Sequence, residues 1–172
     1  HFHNVLCLSE AKGMDIIMKA YAKMILSIIA GETLIKQYIS EREKEGKKSW
    51  TLPGGIEIRR LENGGAATGL FSDRKKEIKM CSGAILAVCG LLLAKEGRKQ
   101  SISVKGTGLA LLLGGGLCNF VDRVKKGTVT DYLRFTRCPV SCVRRLVFNI
   151  SDFCILIGGL LLFVSEKFRI KS

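Results

Sequence analysis

Histidine and paired metal ligands are scarce in this sequence. Its two histidines both lie within the first three residues, and its seven cysteines include no second Cys or His pair at ligand spacing. Structural zinc sites need four such ligands, usually grouped in pairs. We therefore expect no metal site and no cofactor.

The sequence also lacks a cleavage signal and a disulfide framework. The first long apolar run has no small-residue cleavage site, so we expect no cleavable signal peptide. Cys138 and Cys142 flank Pro139 in a basic loop. A disulfide between them is the less favoured alternative to free thiols, because only their position in one loop supports it.

Acidic residues are few, with 15 Asp and Glu against 28 Lys and Arg, and the net charge is +13. In a soluble protein such an excess would indicate nucleic-acid binding. Here 47% of the residues are hydrophobic and the mean hydropathy is +0.22, with the apolar residues in blocks and the charges between them. This layout is typical of a small polytopic membrane protein. We expect the basic segments to contact anionic lipid headgroups and expect no nucleic-acid partner.

Four apolar blocks predict four membrane helices, at about 20–39, 79–95, 106–122 and 146–165. The second and third are short, but flanking lysines can snorkel to the interface. Only helices and closed barrels satisfy the backbone in lipid. The sequence therefore predicts an all-α membrane protein, a four-transmembrane-helix bundle. Its membrane domain is 20–165, with an N-terminal tail at 1–19 and a basic C-terminal tail at 166–172.

The loop between helices 1 and 2 predicts a small extended or β platform. Ile56, Ile58 and Leu61 alternate with polar residues, as in a half-buried strand. Trp50 and Phe71 are candidate interfacial anchors. The connection 122–145 is predicted to be polar.

Charged residues interrupt the first helix. Glu32 and Lys36 stand four residues apart, so they lie on one helix face and can form an ion pair. We favour a neutralised pair near the interface over a contribution to a functional site.

Two aspartates are the main candidates for chemistry. Asp131 follows the third apolar block and Asp152 opens the fourth. An ionisable group at membrane depth is costly and therefore indicates function. Two close carboxylates share one proton, so the ionised one can activate water while the neutral one donates to a carbonyl. Asn119 and Asn149 can hold a substrate backbone, and Arg123 can pair with Asp122 or bind a carbonyl group.

Other interpretations of the same residues stay open at this point. Asp131 and Asp152 can be helix caps, and Asn149 to Asp152 has the pattern of a helix start. A transporter or proton-coupled protein would also carry paired carboxylates. The uncharged runs 80–94 and 106–118 offer it no polar path.

Four ordered motifs resemble the lipoprotein signal peptidase (signal peptidase II) family. The family element Asn-x-Gly-Ala-Ala-x-Gly is matched by NGGAATG at 63–69, and Gly-Gly-x-x-x-Asn-x-x-Asp-Arg is matched by GGGLCNFVDR at 114–123. The element Gly-x-Val-x-Asp-aromatic is matched by GTVTDY at 127–132, and Phe-Asn-x-(Ala or Ser)-Asp is matched by FNISD at 148–152. The resemblance covers about residues 20–164.

The resemblance implies a membrane aspartic endopeptidase that cuts the signal peptide from a diacylglyceryl-modified prolipoprotein, before the lipidated Cys. Asp131 and Asp152 would be catalytic. The implied substrate-binding or supporting residues are Asn63, Asn119, Asp122, Arg123, Asn149 and Lys36. The enzyme would be a multi-pass protein of the bacterial cytoplasmic membrane. We expect a monomer among membrane lipids, with cytoplasmic termini and its active site near the outer leaflet.

The sequence departs from the family pattern at three positions. Glu32 stands in place of Asp, Thr68 in place of Phe, and Phe153 in place of Ser. None removes a carboxylate of the pair, so we expect an active enzyme rather than an inactive relative.

Overall fold

A computed structural model describes residues 2–65, 73–99 and 101–169, with side chains from residue 13 to residue 168 within those ranges. The described chain is mostly helical and contains a small antiparallel sheet. In chain order its elements are α1 (Phe2–Lys44), β1 (Ser49–Leu52), β2 (Ile56–Asn63), α2 (Lys75–Glu96), α3 (Val104–Lys126), β3 (Val129–Phe135), α4 (Ser141–Arg145), β4 (Val147–Phe148) and α5 (Ile150–Arg169).

The first helix is longer than the sequence predicted. α1 begins at Phe2, so most of the expected tail at 1–19 is helical, and the helix continues beyond residue 39. No proline precedes Pro53, so no residue before it lacks a backbone donor for the helix. The chain turns after α1 at Gly46, whose φ is 88°, a left-handed conformation that favours glycine.

The sheet is larger than the predicted platform. Its strand order is β1-β2-β3-β4, and neighbouring strands run antiparallel. The half-buried strand expected around Ile58 is β2, in the loop after α1. The polar connection at 122–145 contains two further elements, β3 and α4, that the sequence pattern did not indicate. Its charged residues obscured the strand, whose partner β2 is distant in sequence.

The remaining helices lie close to their expected positions. α2 and α3 contain the predicted segments 79–95 and 106–122. The fourth begins at Ile150 rather than 146, because Val147 and Phe148 pair with β3 instead. α5 continues to Arg169, so only 170–172 of the expected C-terminal tail lie outside the described residues.

Within the described ranges, two helices, α2 and α3, are long and apolar enough to cross a membrane. In the other two long helices, charged residues lie within or beside the apolar run. In α1, Lys23, Glu32 and Lys36 interrupt the apolar run, and α5 carries Asp152 in its first turn.

Helix α3 lies at the centre and packs against α1, α2 and α5. Its contact with α5 is close because both helices present glycine there. A Cβ at Gly158 would lie 2.7 Å from the carbonyl oxygen of Gly108, and one at Gly108 would lie 2.9 Å from that of Gly158. A second core joins Ile39 of α1 to Ile58 and Tyr132 of the sheet.

Gly158→Ala is predicted to destabilise the protein by about 1–3 kcal/mol, because the added methyl group meets the α3 backbone. Gly159→Ala is the matched control, since a Cβ at this neighbouring position meets nothing within 4 Å. It is expected to be neutral or slightly stabilising. Thermal unfolding in detergent measures both, and equal transition temperatures would contradict the close helix contact.

Candidate active site

Asp131 and Asp152 line one cavity of about 490 Å³. Asp131 lies in β3, where it is 3% exposed and stands opposite Leu61 of β2. Asp152 lies in the first turn of α5. A strand from one part of the chain and a helix start from another thus bring the two predicted carboxylates to the same space.

Asparagine amides hold both carboxylates. The Asn149 Nδ2 donates to Asp131 Oδ1 at 2.7 Å, and the Asn63 Nδ2 donates to Asp131 Oδ2 at 3.0 Å. Asp152 Oδ1 accepts from the Asn119 Nδ2 at 2.9 Å, and Asp152 Oδ2 accepts from the Asn149 backbone N–H at 3.0 Å. Asn149 Nδ2 also donates to Asn119 Oδ1 at 3.2 Å, which joins the two halves.

Asn149 also caps α5, as the sequence allowed. Its Oδ1 accepts from the Asp152 N–H at 2.9 Å. The cap and carboxylate-site interpretations are therefore compatible, because Asn149 serves the helix start with Oδ1 and Asp131 with Nδ2.

Burial raises the pKa of the Asp131 carboxyl to about 6. The hydrogen bonds from Asn63 and Asn149 oppose this rise, whereas the negative charge of Asp152 adds to it. Near neutral pH Asp131 can therefore both hold and release a proton.

Arg123 projects into the same cavity from α3. Its Nη2 donates to the Gly65 carbonyl oxygen at 3.3 Å, whereas its buried Nε has no hydrogen-bond partner among the described residues. Asn63 Oδ1 accepts from the Gly65 N–H at 3.1 Å. Of the two alternatives that the sequence left open for Arg123, an ion pair with Asp122 is absent from the described contacts. The rest of the 63–69 motif, including Thr68, and the candidate anchor Phe71 lie outside the described residues.

Lys36 of α1 and Asp122 of α3 line a separate cavity of about 350 Å³. Lys36 Nζ lies 3.0 Å from Glu32 Oε1, as the four-residue spacing predicted, and 2.9 Å from Asp122 Oδ2. Asp122 Oδ2 also accepts from the backbone N–H of Thr130, next to Asp131, at 3.2 Å. These residues therefore support β3 without reaching the cavity that the carboxylates share.

Tyr132 is a site residue that the sequence did not reveal. Its hydroxyl donates to Glu32 Oε2 at 2.9 Å and accepts from the Ile150 N–H at 3.3 Å. Glu32 is 2% exposed, so the ion pair with Lys36 lies inside the protein and not at its surface. Tyr132 connects α1 to the start of α5. The available signal was its place as the aromatic residue of the 127–132 motif, directly after Asp131. Its partner Glu32 is distant in sequence, so the contact itself was not predictable.

The cavity wall is mostly apolar. Beside the polar groups it is formed by α2, α3 and α5 and the β4 segment, chiefly by Ile78, Ile85, Leu86, Leu112, Val147, Phe148, Ile155 and Leu156. Phe148 packs against Phe135 and Phe153, with ring centroids 6.1 and 5.8 Å apart. Phe153, a departure from the expected Ser, thus braces one wall.

Two carboxyl groups in one apolar-walled cavity can carry out acid–base chemistry. Among the described residues, no group of three His, Cys, Asp or Glu side chains is placed to hold a metal ion. Cys138 and Cys142 are free thiols.

Comparison with known proteins gives the same family as the sequence motifs. The family described as signal peptidase (SPase) II matches residues 24–168. A lipoprotein signal peptidase of Lactobacillus johnsonii is 33% identical over 152 residues, which are 86% of this chain and 94% of that protein. One of Streptococcus pneumoniae is 26% identical and covers 84% of this chain and 90% of its own.

Solved structures share the fold. A structure described as a bacterial membrane enzyme superposes with a TM-score of 0.73 at 23% identity, covering 86% of this chain and 87% of that one. A second has a TM-score of 0.71, also at 23% identity, over 86% and 92% of the two chains. The family match spans most of the sequence, so this chain belongs to the signal peptidase II family and is a peptidase.

Proposed function

We propose that the chain is an aspartic endopeptidase that removes signal peptides from diacylglyceryl-modified prolipoproteins, cutting before the lipidated Cys. The observation that supports this most strongly is the placement of Asp131 and Asp152 in one apolar-walled cavity. Removal of lipoprotein signal peptides agrees with the family. The aspartic mechanism is inferred from the two carboxylates.

The pair holds one proton in the resting enzyme. Asp131, with its raised pKa, donates this proton to the carbonyl oxygen of the scissile bond. The carboxylate of Asp152 accepts a proton from water, and that water attacks the carbonyl carbon. The resulting tetrahedral intermediate collapses when the leaving nitrogen is protonated by the same pair.

Asn63, Asn119 and Asn149 act as positioning residues, because their amides orient the two carboxylates. Arg123 lines the cavity, and its guanidinium group suits a backbone carbonyl of the substrate. Asp122 supports β3 through the Thr130 N–H, and Lys36 of α1 holds the Asp122 carboxylate in place.

The apolar wall suits a lipidated substrate. Ile85 and Leu156 line the cavity and remain 61% and 59% exposed, on α2 and α5. A diacylglyceryl group can enter between these helices from the bilayer while the peptide reaches the carboxylates. Such burial of apolar chains contributes about 0.8 kcal/mol per CH₂ group.

We further propose that α1, α2, α3 and α5 all span the cytoplasmic membrane. The charges of α1 are compatible with lipid because Glu32 and Lys36 neutralise each other. Four spans place both termini on one side, which we assign to the cytoplasm, with the sheet and the carboxylates at the outer leaflet. We propose a single membrane domain and a monomeric enzyme.

Replacing either catalytic carboxylate is predicted to lower the cleavage rate by about 10²–10⁴-fold. Asn retains the shape of Asp but cannot exchange the proton, so Asp131→Asn and Asp152→Asn should fold and bind substrate. The assay is cleavage of a diacylglyceryl prolipoprotein by purified protein in detergent. Asp15→Asn, at an exposed residue paired with Lys19, is the control. Undiminished cleavage in either site variant would refute the catalytic pair, and an inactive wild type would refute the function.

The pH profile of kcat/KM should fall on its alkaline side near pH 6. Asp131 is active when protonated, and raising the pH through its pKa of about 6 removes that proton. A profile that stays flat from about pH 5 to pH 8 would contradict the assigned proton donor.

Tyr132→Phe is predicted to cost about 1–3 kcal/mol in stability, because it leaves the Ile150 N–H and the Glu32 carboxylate without the hydroxyl. It should also lower kcat more than it raises KM, since the start of α5 carries Asp152. Tyr38→Phe, at a residue 53% exposed, is the control. Unfolding curves and steady-state kinetics measure both effects, and equal behaviour of the two variants would exclude a positioning role.

A further inference from the structure

One surface of the sheet has no function in the proposed cleavage reaction. It joins the turn between β1 and β2 to the loop that follows β3. The Thr136 N–H and hydroxyl both donate to the Gly55 carbonyl oxygen, at 2.9 and 2.7 Å. The Arg137 side chain occupies the space that a Cβ at Gly55 would need. The two segments therefore form one continuous surface.

This surface is strongly basic and has no compensating acid. Arg137, Arg144 and Arg145 are exposed, and none has an ion pair with a residue that the structure describes. We refer to these three residues as the arginine patch. The segments 49–56 and 134–145 contain no Asp or Glu. Arg134 is set apart, since it pairs with Glu57 at 3.4 Å and its Nε donates to the Arg144 carbonyl oxygen at 3.0 Å.

Apolar side chains lie on the same segments. Leu52 is 43% exposed and ends β1, while Val140 is 50% exposed and directly precedes α4. Tyr38 and Trp50 pack edge to face nearby, with ring centroids 6.4 Å apart. Exposed apolar groups beside cations, with Tyr and Trp close by, are characteristic of a surface at the membrane interface.

Chain connectivity places the patch near the start of α5, and its position at the bilayer rests on the proposal that α5 spans the membrane. Arg145 ends α4, and α5 begins at Ile150. The few residues between them can extend by at most roughly 3.5 Å each. The patch therefore lies within a short distance of the point where α5 begins.

We propose that the arginine patch docks on anionic phospholipid headgroups of the leaflet at which α5 starts. The guanidinium groups bind lipid phosphates, and Leu52 and Val140 insert between the headgroups. An acidic protein segment would satisfy the arginines but would leave these two apolar side chains in water. The contact holds the sheet against the membrane and does not depend on the assignment of the catalytic carboxylates.

Trp50 is the only tryptophan of the chain, so its fluorescence reports on this surface alone. The protein is reconstituted in mixed phosphatidylglycerol and phosphatidylcholine vesicles, with brominated acyl chains on one lipid or the other. The wild-type protein should show stronger quenching by brominated phosphatidylglycerol, and added NaCl should weaken this preference. The triple variant Arg137→Gln, Arg144→Gln, Arg145→Gln should lose the preference for phosphatidylglycerol. Each arginine removed should lower the affinity for this lipid about fivefold.

A control variant, Lys95→Gln, Arg98→Gln, Lys167→Gln, also removes three positive charges, at the ends of α2 and α5 that lie away from the sheet. It should keep the preference for phosphatidylglycerol. Prolipoprotein cleavage in detergent verifies that both variants are folded. Equal quenching by the two lipids in the wild-type protein would overturn the proposal. An unchanged preference in the triple variant would also overturn it. If inorganic phosphate abolished the preference while NaCl at equal ionic strength did not, the patch would be a site for a free anion and the proposal would be wrong.

Discussion

The arrangement of the site depends on the side chain and backbone of Asn149. Its amide nitrogen binds Asp131 and Asn119, its backbone N–H binds Asp152, and its Oδ1 caps α5. Asn149 is fully buried, so water does not compete for these hydrogen bonds. One residue therefore sets the position of both carboxylates. Its placement requires β4 to pair with β3 immediately before α5 begins.

A second constraint is the presence of charge within an apolar bundle. Lys36 lies between Glu32 and Asp122, and each acid also accepts a hydrogen bond from β3, from the Tyr132 hydroxyl and the Thr130 N–H respectively. Each of these three charges thus has a partner, which is the condition under which burial is tolerated. The same contacts fix the strand that carries Asp131, so neutralising the charges also orders the active site.

The sequence predicted the features that depend on local patterns. Apolar blocks located α2 and α3, alternation located β2, and the four-residue spacing gave the Glu32–Lys36 pair. The two aspartates were identified from their position at the ends of apolar blocks. Contacts between distant segments were not predictable in this way. The pairing of β3 with β2 and the bond from Tyr132 to Glu32 depend on how the helices pack, and the charges around β3 made that strand look like a loop.

The central claim is that Asp131 and Asp152 share one proton inside the cavity. Infrared difference spectroscopy of the purified protein, titrated with and without ¹³C-labelled aspartate, measures carboxyl protonation directly. We expect one infrared band of a protonated aspartate that disappears as the pH rises through about 6. This band should be missing in the Asp131→Asn variant. Full ionisation of both carboxyl groups at about pH 5, well below that pKa, would contradict it.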